Sequence, residues 1–214
     1  YLLDSNLEQN DPADRDLTSK LYTGGPDVRL RQEWILGVGG VRVLRALGIA
    51  PAAWHANEGH AAFMLVERVR EYMAAGLTYD EAAVKVRASS VFTTHTPVPA
   101  GHDTFSHEQV AQCAGPLYQE MGITRFLSIG QHPTEEQGRF HMTVCALRLS
   151  KYVNGVARRH GEVSRQIWAP LWTDRDDSRV PIGHVTNGVH KATWMSKEMM
   201  ELFDHSFGHD WGNR

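Results

Sequence analysis

Histidine, asparagine and glutamate crowd into short stretches of this chain: His55-Ala56-Asn57-Glu58-Gly59-His60, His95-Thr96-Pro97 and Thr186-Asn187-Gly188-Val189-His190. Imidazole, amide and hydroxyl groups at that density can hold a neutral, hydroxyl-rich ligand by hydrogen bonds. Each stretch follows a run with apolar, β-branched or aromatic residues, which places it at a strand end. In a parallel sheet such ends share the carboxyl edge, so the turns can converge on one crevice. No metal is expected there. His55 and His60 are five apart, with one of them in a strand, whereas a helical zinc pair needs a spacing of about four. Glu58 and Asp103 are candidates for a glycosidase pair, but their separation decides that chemistry. Glu58 is equally suited to capping a helix. No serine or cysteine sits in a nucleophile elbow.

The elements that must position these groups follow from periodicity. Val91 to Thr94 is β-branched or aromatic and reads as a strand. Thr96-Pro97-Val98-Pro99 cannot continue a sheet interior, so a stiff loop carries His95 and His102. Taken alone, both histidines fit ordinary loop positions as well as ligand-binding ones. Ala52 to Ala56 reads as a strand and Asn57 to His60 as a tight turn into a helix ending near Ala75. Leu30, Trp34, Val38, Val41 and Leu44 mark one face of a helix from about Val28 to Leu47. Gly37, Gly39 and Gly40 lie inside it, at a cost of about 1 kcal/mol each unless close packing compensates. Capping-box patterns open helices at Thr78 and at Ser106, the second running to about Met121. Phe140 to Tyr152 reads as helix, Asn154-Gly155-Val156 as a turn, and a charged helix follows to Ile167. Pro181 to Thr186 reads as a last strand, and Ser196 caps a closing helix. Tyr1 to Leu3 reads as the tail of a strand, Leu17 to Tyr22 as a helical turn, and Thr23 to Asp27 as a loop. The alternation of strands and helices predicts an α/β fold with a parallel sheet covered on both faces.

Composition narrows the partners. The 214 residues carry a net charge of −3, which argues against a nucleic-acid partner. No apolar run approaches the roughly 20 residues of a membrane span. With no charged-then-apolar leader, and with Cys113 and Cys145 reading as free thiols, the chain is expected in the cytoplasm. Twelve histidines and six tryptophans are many for this length, and both types are frequent where sugars bind.

Five stretches, RLRQEW (29–34), HANEGHAAF (55–63), FTTHTPVPAGHDTF (92–105), VNGVARRHGEVSRQIW (153–168) and VTNGVHKATW (185–194), resemble the α-glucan phosphorylases in their bacterial short form. They stand in the family's order and cover most of the chain. The resemblance implies one parallel-sheet, Rossmann-like lobe of the two-lobed glycosyltransferase type B architecture. Residues 1–186 correspond to the later part of the N-terminal lobe, and 187–214 to the crossover toward a C-terminal cofactor lobe. It further implies that His95 lies against the glucosyl unit with its backbone on a sugar hydroxyl. Asn187 bonds hydroxyls of the same glucose, Glu58 and His60 line the pocket, and Trp194 packs near pyridoxal phosphate. The family cleaves terminal α-1,4-linked glucose with inorganic phosphate, and the phosphate group of the cofactor acts in proton exchange. The implied partners are an α-1,4-glucan or maltodextrin and phosphate, and a homo-oligomer is compatible with the family.

Departures from the pattern shape the expectation. No stretch here matches the cofactor lysine, the basic residues that grip phosphate, or the glycine-rich loop of the early N-terminal lobe. The loop at Thr23 to Asp27 is shorter than the gate of animal-type members. Glu58 stands where many members carry aspartate. The opening Tyr1-Leu2-Leu3 and the close at Arg214 suggest a piece of a longer protein, and the isolated chain is expected to be inactive. Two rivals stand beside this reading: part of a nucleotide-sugar glycosyltransferase such as a glycogen synthase, which shares the two-lobed plan, and a non-catalytic glucan-binding remnant that keeps only the sugar-side motifs.

Overall fold

Trp54–Asn57 (β1) and Ser90–Thr93 (β2) pair in parallel, Trp54 opposite Ser90 through Asn57 opposite Thr93. Thr104–Ser106 (β3) and Arg139–His141 (β4) form a separate antiparallel pair. Tyr152–Gly155 (β5) and Gly183–His184 (β6) complete the main sheet, whose order is β1-β2-β5-β6 with all strands parallel. This computed structural model describes residues 2–21, 24–115, 119, 121–135 and 137–213.

The helices are Pro12–Arg15 (α1), Gly25–Trp34 (α2), Gly40–Ala46 (α3), Phe63–Ala74 (α4), Tyr79–Ala88 (α5), His107–Ala114 (α6) and Ile123–Ile129 (α7). They continue with Met142–Arg148 (α8), Arg158–Trp168 (α9), Lys191–Trp194 (α10) and Lys197–Phe207 (α11). The α/β class and the parallel sheet agree with the sequence reading. So do both capping boxes: the Thr78 hydroxyl accepts from the Glu81 amide at 3.4 Å, and Ser106 accepts from Gln109 at 3.1 Å.

α2 and α3 join through Ile35–Gly39, a π-helical turn, into one unbroken rod. The glycines expected to be compensated by packing divide. A Cβ on Gly37 would lie 2.7 Å from the Met64 amide nitrogen and from the Phe63 Cβ, so only glycine lets the rod touch the start of α4. Gly40 has nothing within 4 Å of that position, so packing does not explain it.

The contact at Gly37 matters because Phe63 is central to the core. It is wholly buried, with ring centroids 4.8 Å from Trp34 and 5.9 Å from Phe140. Burying one such side chain contributes about 1.5–3 kcal/mol. The same wall therefore fixes α4, and with it the turn that carries Glu58 and His60.

Several sequence expectations fail at element boundaries. Phe140 to Tyr152 is not one helix. Phe140 and His141 pair with β3, only Met142–Arg148 is helical, and Tyr152 opens β5. The apolar spacing reflects a helix buried nearly all round, and the Lys151 amide, bonded to the Ser90 carbonyl at 3.2 Å, draws the chain into the sheet. Asn154-Gly155 belongs to β5, although the dipeptide favours a turn. The last strand is two residues long rather than six, and the first strand begins at Trp54. Leu2 and Leu3 are not in a strand, and Gly25 already lies in α2. Tyr1, Tyr22 and Thr23 lie outside the described residues, as does part of the stretch expected to continue α6 toward Met121. Cys113 and Cys145 are free. Among the described residues no helix is long and apolar enough to cross a membrane.

Candidate functional site

The carboxyl end of β1 leads into Glu58 at φ 72° and ψ 167°, a conformation almost confined to glycine. A side chain held there costs on the order of 1–3 kcal/mol and persists only where its surroundings fix it. The fixing contacts are visible. The Glu58 amide bonds the Thr93 carbonyl at 2.8 Å, locking the exit of β1 to the exit of β2. Its carboxylate accepts from the amides of His95 at 2.6 Å, Thr96 at 3.0 Å and Gly59 at 2.9 Å, and from the Thr96 hydroxyl at 3.1 Å. Charge-assisted bonds of this kind are about twice as strong as neutral ones. Glu58 thus caps its own helix, as expected, and also pins the loop after β2.

His95 is exposed, and its Nε2 lies 2.7 Å from Asn57 Oδ1. If Nε2 carries the proton and donates to that acceptor, Nδ1 and the backbone carbonyl remain for a ligand, because the amide is spent on Glu58. A second chain of bonds crosses the same edge. His55 Nε2 meets Thr93 Oγ1 at 2.7 Å, and Thr93 donates to Asn154 Oδ1 at 3.1 Å. Three neighbouring strands are thereby tied side chain to side chain at their carboxyl ends.

His60 is half-buried beside this loop. Burial, helped by the Arg29 guanidinium, pulls its pKa below the ordinary value, while Glu58 and Asp103 oppose the shift. A neutral imidazole results near pH 7. His60 shares a cavity of about 610 Å³ with Arg29 and Glu33. Arg29 Nε lies 2.8 Å from Glu33, and its NH2 lies 3.0 Å from Asp103. Glu33 is 1% exposed, and burial, reinforced by the Asp103 carboxyl, lifts its pKa to about 9. It stands protonated beside Asp103 near neutrality, with Arg29 balancing the remaining charge.

The predicted residues divide accordingly. Glu58 and His95 are bonded to each other, and His60 lies close enough for the Glu58 carboxylate to act on its titration. Asn187 lies on the same sheet edge, its amide on the Val156 carbonyl at 3.0 Å, beyond the ends of β5 and β6. Its side chain is exposed and makes no hydrogen bond to the other three. Trp194, at the end of α10, is 80% exposed and contributes nothing to the grouping. Glu58 and Asp103 do not form a free acid–base pair, since the first is saturated by amides and the second is bound to Arg29. Asn57, Arg29, Glu33 and Asp103 were not singled out as one group in the sequence. Arg29 and Glu33 have ordinary helix-pair spacing, and Asp103 is 74 residues from Arg29. The resulting edge is rich in fixed donors and acceptors, poor in net charge and open to solvent, which suits a neutral hydroxylated ligand.

No protein-family profile matches the chain. It is 42% identical over 211 residues to the maltodextrin phosphorylase of Thermococcus litoralis, covering 99% of this chain and 25% of that protein. It is 40% identical to the glycogen phosphorylase of Mycobacterium tuberculosis, covering 94% of this chain and 25% of that protein. With the glycogen phosphorylase of Aquifex aeolicus it shares 37% identity over 97% of this chain and 30% of that protein. The chain thus spans between a quarter and a third of the length of these relatives.

Proposed function

We propose that this homologue of a segment of the maltodextrin and glycogen phosphorylases forms the sugar-holding side of an α-1,4-glucan phosphorylase. The reaction of the whole enzyme would transfer a terminal glucose from the glucan to inorganic phosphate, giving glucose 1-phosphate. Residues 1–186 would be the later part of one lobe, 187–214 the crossover, and the setting the cytoplasm. The observation that supports this most is the strained Glu58 and its grip on the His95 loop, at the end of a parallel strand. Such strain is kept where positioning matters.

In this reading the free polar groups of His95 and the amide of Asn187 engage hydroxyls of one glucose. Glu58 and neutral His60 form the wall behind it. Preset dipoles, with no mobile carboxylate, orient the sugar and stabilise positive charge developing on its ring. The family's cofactor, pyridoxal phosphate, would supply the phosphate group that exchanges a proton with the substrate phosphate. The residues described here do not make its cradle. Trp194 offers one exposed face, and the neighbouring Lys191 is turned onto the Gly212 carbonyl and the Trp211 ring. The share of this chain is therefore positioning.

Calorimetric titration of maltodextrin into the 214-residue protein tests the reading, with a parallel assay for glucose 1-phosphate in the presence of phosphate. Binding is expected, weakened at least about tenfold, or about 1.4 kcal/mol, by His95→Ala and by Asn187→Ala. Glucose 1-phosphate is not expected from this chain alone. Binding indifferent to both substitutions would move the sugar off this edge, and turnover by the chain alone would overturn the division of labour.

A further inference from the structure

Where β5 passes into α9, glycines bring backbone and side chain unusually close. A Cβ on Gly155 would lie 2.7 Å from His160 Nδ1 and 3.0 Å from the Gly161 amide nitrogen. A Cβ on Gly161 would lie 2.9 Å from the Gly183 carbonyl oxygen. Glycine at both places lets the start of α9 rest directly against the ends of β5 and β6. The half-buried His160 ring is thereby placed against the strand exit.

What the ring does there is visible in one bond. The Val156 amide donates to His160 Nδ1 at 3.1 Å. A backbone amide can only donate, so Nδ1 keeps its lone pair and the ring proton belongs on Nε2. Ala157, the N-cap of α9, supplies no side-chain cap. His160, three residues later, reaches back instead, as the third residue of a capping box does, but to the amide one position beyond the cap.

The bond governs more than the helix start. The Val156 N–H and the Gly155 carbonyl belong to one planar peptide unit, so holding one aims the other. That carbonyl accepts from the Val185 amide at 3.0 Å and from the Asn154 side chain at 3.1 Å. The next carbonyl, of Val156, accepts from the Asn187 amide at 3.0 Å. Residues 183–190 are exposed, so burial does little to hold them, and these backbone bonds set where Asn187 stands.

We propose that His160 is a positioning residue for sugar binding: through the Gly155–Val156 peptide it holds the strand exit on which the Asn187 loop hangs. The sugar in this statement rests on the phosphorylase reading, whereas the arrangement of the loop does not.

Three measurements on the 214-residue protein test it: imidazole ¹⁵N spectra, amide exchange by NMR, and maltodextrin calorimetry. Neutral His160 should carry its proton on Nε2. His160→Phe keeps a ring but no acceptor. It should speed exchange at Val156, Val185 and Asn187 at least about tenfold, with β1 and β2 unchanged, and weaken maltodextrin binding about three- to tenfold. His160→Asn puts an oxygen near the place of Nδ1 and should restore most of both. Gly155→Ala, which crowds the ring aside with His160 still present, should reproduce the loss. In an Asn187→Ala background His160→Phe should weaken binding no further, because both act through one side chain. A proton on Nδ1 would overturn the proposal. So would unchanged exchange at Val185 and Asn187 in both His160→Phe and Gly155→Ala, equal loss of protection throughout the sheet, or additive losses in the double variant. Maltodextrin that fails to bind the unsubstituted protein would remove the phosphorylase reading and the sugar with it, while the exchange rates still decide whether His160 holds the loop.

Discussion

Glu33→Gln should flatten the dependence of stability on pH. Glu33 is 1% exposed, and burial with the Asp103 carboxyl beside it raises its pKa to about 9 from an ordinary 4.5. Between those values the folded protein holds a proton that the unfolded chain has released. Stability is therefore full below the lower value and declines as pH rises through the window, by at most about 1.4 kcal/mol per unit. From about pH 5 to about pH 8 the ceiling is ~4 kcal/mol, and local relaxation around Arg29 and Asp103 sets the expected loss at about 2–4 kcal/mol. Glutamine keeps the shape, accepts from Arg29, donates to Asp103 and does not titrate. Its contribution over the same window should stay level to within about 1 kcal/mol. Urea unfolding followed by tryptophan fluorescence at each pH measures both curves. Parallel curves would refute the argument, because Glu33 would then be ionised inside the fold and its partnership with Arg29 an ordinary ion pair.

Other outcomes follow from the geometry. Gly37→Ala should cost about 1–3 kcal/mol or more, because its Cβ meets α4 backbone at 2.7 Å. Gly40→Ala, with open space around it, should gain about 0.5–1 kcal/mol, so thermal melts of the pair should move in opposite directions. Glu58→Ala should destabilise by about 2–4 kcal/mol and speed amide exchange at His95 and Thr96, whose amides it now holds at 2.6 and 3.0 Å. Glu58→Gly should free the same amides but lose less stability, since glycine adopts φ 72° without strain. Thr78→Ala should cost about 1 kcal/mol in denaturant unfolding, by removing half of the capping box at α5.

Much of the frame was legible because it rests on local rules. The capping boxes at Thr78 and Ser106 depend on residues three apart, and the glycines of the α2–α3 rod announced close packing that is real at Gly37. The three polar turns were legible as strand ends, and parallel pairing sends their residues to one edge. The β3–β4 pair was not legible. Its strands are three residues each, too short for alternation, and Phe105 and its partner Phe140 stand far apart along the chain. Asn154 and Gly155 carry a turn signal that sheet pairing on both sides overrides. The Arg29–Glu33–Asp103 cluster was hidden because it is assembled from segments that only tertiary contact brings together.

The wide turn at Ile35–Gly39 has a consequence for how this chain tolerates length changes. A π-turn spans five residues where an α-turn spans four, so it stores one surplus residue in the middle of the rod. Excising one residue at that spot would let the winding close normally, with Leu30 and Val41 still pointing at their present neighbours. The same excision within Gly25–Trp34 or Gly40–Ala46 would swing one side of the rod by about 100° and turn its apolar stripe toward water.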